Sequence, residues 1–166
     1  MMPRTKRPGI GGLAPAYGFM MNPYPWLRVT KCPCCERPTG QRKVPLLIVV
    51  EEAVPIALNY TCRHCRFCDL LVAHKHEIEH LLRELFSRAN PGVIGNDYCV
   101  VGTVERSAWR AGLSRPQTTA DILPQAHDFR RYHTELRVTQ AGWFPRDQEP
   151  PVVTPPPSAE WVKRSS

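Results

Sequence analysis

Two C-x-x-C turns, Cys32-Pro33-Cys34-Cys35 and Cys62-Arg63-His64-Cys65, constrain this chain more than anything else in it. A C-x-x-C turn lets two thiolates converge on one ion at about 2.3 Å, and two such turns brought together complete a closed tetrahedral site for Zn²⁺. The stretch between them, Glu36 to Thr61, exceeds the usual zinc-site spacing and has room for a β-hairpin. "VPLLIVV" and "PIALNY" are short β-rich runs on either side of "EEAV", and they supply its two strands. Basic neighbours Lys31, Arg37, Arg63 and Arg66 favour thiolates over thiols and offset the charge of a metal with four sulfurs.

The ligand set has an alternative. Cys65-Arg66-Phe67-Cys68 is a further C-x-x-C turn, so either Cys62 with Cys65 or Cys65 with Cys68 completes the site begun by Cys32 and Cys35. Cys34 reads as a bystander within the first turn, and Cys99 as a small apolar residue on a strand. A thioredoxin-like redox motif belongs at a helix start in a βαβ unit, and that context is missing. Four thiolates also hold iron in rubredoxin-type centres, so the spacing admits iron beside one structural zinc.

"CPCC", a hairpin, "YTCRHC" and a following helix resemble a zinc ribbon or treble-clef zinc finger over about residues 30–90. "CRHCRFCDLLVAHK" is also similar to small uncharacterised bacterial proteins with a zinc ribbon near the N-terminus, a resemblance that brings no assigned activity. The resemblance implies a structural metal and a hairpin-based fold. It leans toward Cys62 with Cys65, because the ribbons often carry an aromatic where Tyr60 stands.

The chain therefore reads as α+β: a zinc-ribbon or treble-clef module of hairpin plus long helix over 28–90, then a second small α+β unit over 91–144. A flexible basic arm (1–27) and a proline-rich tail (145–166) flank them. The helix pattern begins after Cys68, with Leu71, Ile78, Leu82 and Leu85 in one stripe and Leu81 and Phe86 on its flanks. In the second unit "YCVVGTV" predicts a strand and "ERSAWRAGL" a helix that Gly112 can end. Thr118 or Thr119 can cap "ADILPQAHDFRRYHTEL", which Pro124 breaks near Leu123, and "ELRVTQAGWF" returns as a strand.

His76 to His80 spells HEIEH, the spacing that gives zinc hydrolases two histidine ligands and a glutamate base. His76, Glu77 and His80 would be the catalytic set of a zinc-dependent hydrolase. That chemistry needs a third ligand, and the metzincin extension fails because Arg83 and Phe86 stand where Gly and His belong. Glu105, His127 and His133 are candidates that nothing in the sequence singles out. The competing expectation is an exposed helix face laced by i,i+4 pairs such as Glu79 with Arg83, and it makes the protein a binding module rather than an enzyme.

The formal net charge is +7, and it is concentrated. Arg4, Lys6, Arg7, Arg28, Lys31, Arg37, Arg42 and Lys43 face Glu36 alone in residues 1–43, while the rest of the chain balances. With Tyr17, Phe19, Tyr24 and Trp26 interleaved, this segment predicts nucleic-acid contact by Arg4, Lys6, Arg7, Arg28, Lys31, Arg42 and Lys43. The tail "PPVVTPPPSAEW" offers a protein partner as the second expectation. No run reaches the roughly 18 apolar residues of a membrane span, and Gly and Pro interrupt the N-terminal apolar stretch. The reading is cytoplasmic, without a membrane.

Overall fold

The computed structural model describes residues 9–163. Its framework is one seven-stranded sheet in the order β6-β5-β2-β3-β4-β1-β7. In chain order the elements are β1 (Gly18–Asn22), β2 (Gly40–Val50), β3 (Ile56–Cys65), β4 (Leu70–His74), α1 (Lys75–Ala89), β5 (Tyr98–Val104), α2 (Arg106–Ser114), α3 (Thr119–Ile122), β6 (Ala126–Asp128) and β7 (Arg131–Tyr132). The long hairpin is present: β2 and β3 pair antiparallel from Gly40↔His64 to Ile48↔Ile56. "VPLLIVV" is a continuous apolar run because β2 is covered on both faces. Val44, Leu46, Ile48 and Val50 pack with Ile78, Leu82 and Phe86 of α1, while Leu47 packs with Val104 and Ala126.

Seven flat strands would span roughly 29 Å at 4.8 Å per gap. Yet β6 and β7, at opposite ends of the strand order, are joined by Phe129 and Arg130 alone, a link that reaches about 11 Å at most. The sheet therefore curls until its edges meet. Phe129 N–H donates to Val101 O (3.1 Å) and Arg130 N–H to Tyr17 O (2.8 Å), stitching the link to both sides. Gly102 permits the tight seam, since a Cβ there would lie 2.0 Å from the His127 carbonyl oxygen.

Several expectations change. "LLVAH" forms β4 rather than the first turn of the helix, so Leu71 enters the core from a strand; within α1, Phe86 is buried and Leu85 exposed. Gly18–Asn22, inside the expected flexible arm, is β1 and pairs in parallel with β4. The expected join near residue 90 lies between α1 and β5, and β5 pairs with β2, so both expected segments contribute to one sheet. Thr118 caps α3 through a capping box with Asp121, but the chain after Pro124 becomes β6 and no long helix follows. "ELRVTQAGWF" forms no strand beyond an isolated Thr139↔Val152 bridge. The tail is packed as well, with Tyr24 OH donating to Val153 O (2.8 Å) and Trp161 buried beside Phe86 and Tyr98.

Candidate metal centre

Two knuckles of matching construction face each other. In the first, Lys31 and Pro38 form a bridge around the turn, Cys34 N–H points to Cys32 Sγ at 3.4 Å, and Glu36, just after Cys35, is left-handed at φ 64°. In the second, β3 ends at Cys65, Cys68 N–H points to Cys65 Sγ at 3.4 Å, and Asp69, just after Cys68, is left-handed at φ 55°. Backbone N–H groups aimed at sulfur stabilise thiolate, which is the form a metal takes.

The knuckles bring Cys32, Cys35, Cys65 and Cys68 together, with all four sulfurs within 4.8 Å of one another. Cys35–Cys65 is 3.5 Å and Cys32–Cys68 is 3.9 Å, close to the edge of about 3.8 Å that a tetrahedron with 2.3 Å metal–sulfur bonds requires. Cys32 and Cys65 are buried against Met20, Val29, Leu70 and Val72, whereas Cys68 is exposed. Burial opposes ionisation of Cys65, but the N–H groups of Cys68 and Phe67 and the thiols of Cys35 and Cys32 bring its pKa below the ordinary value. Burial raises Cys32. The donor set is all sulfur and fits zinc, and iron equally.

Cys62 stands outside this cluster. Successive residues of a strand face opposite sides, so Cys62 and Cys65, three apart on β3, point apart. Cys62 lies in the core with Tyr60, Val44 and Ile78, where burial pushes its thiol up to about 12. The ligand alternative with Cys68 is the one the geometry assembles. Tyr60 serves the helix instead: its hydroxyl donates to Glu77 at 3.2 Å and accepts from His74 N–H at 3.3 Å.

Charged and aromatic side chains brace the knuckles. Arg63 donates to Val29 O (3.2 Å), Thr39 Oγ1 (3.0 Å) and Thr39 O (2.6 Å), lacing β3 to the flanks of the first turn. The Arg37 guanidinium lies 3.1 Å from the Phe67 ring centroid, joining one knuckle to the other. Asp69 receives His64 Nε2 at 3.0 Å and Arg130.

Among the described residues the four cysteines are the one group of three or more potential metal ligands that converges. His76, Glu77 and His80 gain no third ligand there. His80 instead contacts Glu84 (3.2 Å) and Glu160 (3.4 Å), and His127 contacts Glu105 at 2.7 Å. Glu79 does not pair with Arg83. It is buried and accepts from Tyr98 OH at 2.7 Å. Arg28, Lys31, Arg42 and Lys43 are all exposed, whereas Arg4, Lys6 and Arg7 lie outside the described residues. No described helix is long and apolar enough to cross a membrane.

The chain matches no protein-family model, no curated protein and no solved structure.

Proposed function

We propose that this protein is a nucleic-acid-binding module whose basic lobe is held by one structural zinc on Cys32, Cys35, Cys65 and Cys68. The convergence of four sulfurs within 4.8 Å carries the metal half of this reading. A four-thiolate site leaves no open position for water or substrate, so it serves folding rather than catalysis. It joins two turns that share no strand pairing with each other, and metal bonds supply the cohesion that core volume there lacks.

The nucleic-acid half rests on charge and rings. The whole formal charge of +7 falls in residues 1–43, and four of its cations, Arg28, Lys31, Arg42 and Lys43, are exposed on or near the knuckles. Trp26, at 63% exposure, shares a cavity lining with Arg28, and Phe67, at 67%, lies against Arg37. Cations for phosphates with aromatics for bases is the recipe of single-strand binding. The test is titration of a labelled single-stranded oligonucleotide at several salt concentrations. The reading requires an affinity that falls steeply with salt and is lost when the metal is chelated. Salt-independent binding, or none, would contradict it.

A further inference from the structure

A cavity of about 600 Å³ opens between α1, β5, β7 and the C-terminal segment, away from the knuckles. Glu79 lines it, although the residue is only 3% exposed. Its Oε2 accepts from Tyr98 OH at 2.7 Å, but its Oε1 is closed to water and has no hydrogen-bond partner. Leaving a buried carboxylate oxygen without a donor is costly, and native structures rarely tolerate it without a reason. Lys75, one helical turn earlier, is the obvious internal donor. It is engaged elsewhere, with Glu135 at 3.2 Å on the cavity wall.

The rest of the lining suits a cation. Glu79, Asp97 and Glu135 outnumber Lys75, and burial together with Arg131 lowers the pKa of His133, which disfavours a competing positive charge there. The cavity is thus a locally negative site in a chain of net charge +7. Tyr98, Tyr132 and Trp161 contribute aromatic walls, whose faces attract cations.

We propose that this cavity binds a small primary amine, its ammonium donating to Glu79 Oε1 and its charge resting among the rings of Tyr98, Tyr132 and Trp161. Because Oε1 is closed to water, the amine enters by displacing a wall. Tyr132 is the side chain placed to yield: its ring lines the cavity and is half exposed, while the backbone of β7 stays paired with β1 through Gly18↔Arg131 and Phe19↔Tyr132.

The experiment titrates the metal-loaded full chain with n-butylammonium and, separately, with tetramethylammonium, which has the charge but no N–H. The readout is the NMR signal of the Trp161 indole N–H, which donates to Asn96 O at 2.7 Å. Butylammonium should shift that signal saturably, and tetramethylammonium should bind about tenfold more weakly or worse for want of the charge-assisted hydrogen bond. Glu79→Gln keeps an acceptor for Tyr98 and should weaken butylammonium by a similar factor. The proposal is overturned by no shift up to about 10 mM butylammonium, by equal affinity for the two cations, or by unchanged affinity in a folded Glu79→Gln variant. If that variant fails to fold, the comparison of the two cations on the unaltered chain still decides.

Discussion

Cys62 and Cys65 are three residues apart on β3 and face opposite sides of the sheet, Cys62 into the core beneath α1 and Cys65 onto Cys35. Burial and importance part company here. Cys68 is exposed, yet Cys68→Ser should cost at least about 3 kcal/mol of stability in the metal-loaded protein, because a structural zinc site missing one thiolate loses much of its binding free energy. Cys62→Ala, at 1% exposure, removes a single sulfur from the core and should cost about 1 kcal/mol. Denaturant melts of both variants, with and without chelator, separate the two: chelation should destabilise Cys62→Ala as it does the unaltered chain and leave Cys68→Ser little changed.

Lys31 and Arg42 are exposed cations on either flank of the first knuckle. If they meet phosphates, replacing each by Gln should make the plot of log affinity against log salt shallower by about 0.7 per residue on single strands. Phe67→Ala should weaken binding by about 1–3 kcal/mol at every salt concentration, leaving the slope alone, because stacking releases no counterions.

Both ring nitrogens of His127 face acceptors: Nδ1 lies 2.7 Å from Ala14 O and Nε2 2.7 Å from Glu105 Oε1. Neither oxygen can donate, so only the imidazolium satisfies both. Burial works against that charge, but these two hydrogen bonds and the Glu105 carboxylate raise the His127 pKa above the ordinary 6.5. A raised folded-state pKa gives stability that is fully present below 6.5 and is lost as pH climbs through the folded value. Glu105→Gln should therefore destabilise the protein at pH 6 and do so less at pH 8, by no more than about 1 kcal/mol for a pair this exposed. Urea midpoints at the two pH values check the sign.

Trp161 fastens the C-terminal segment to the sheet and α1. It packs edge-on to Phe86 and Tyr98, with ring centroids 5.9 and 6.0 Å away, and its indole N–H reaches Asn96 O. Trp161→Ala should cost about 3–5 kcal/mol and make the segment after Pro145 a preferred site of proteolysis, read by limited digestion and mass spectrometry.

The hairpin and the first knuckle were legible because each is written locally: apolar runs around a turn, and two cysteines on a Pro-containing loop. What escaped depends on partners distant in sequence. Choosing between Cys62 and Cys68 needs to know that β3 continues to Cys65, which sets the side each cysteine faces. Glu79 reads as a surface residue on a helical wheel, since Tyr98, its partner, comes from a strand nineteen positions on. "LLVAH" takes strand geometry because Leu70–His74 lies between β3 and β1, a position no local propensity encodes. Nor does composition reveal that a proline-rich tail carries a buried tryptophan, Trp161.

The most direct test of the metal centre is elemental analysis, resolving zinc from iron, of the dialysed unaltered chain beside Cys62→Ala and Cys68→Ser. One zinc per chain is the expected result, kept by Cys62→Ala and lost by Cys68→Ser. Loss from Cys62→Ala with retention in Cys68→Ser, or no bound metal in the unaltered chain, would contradict it.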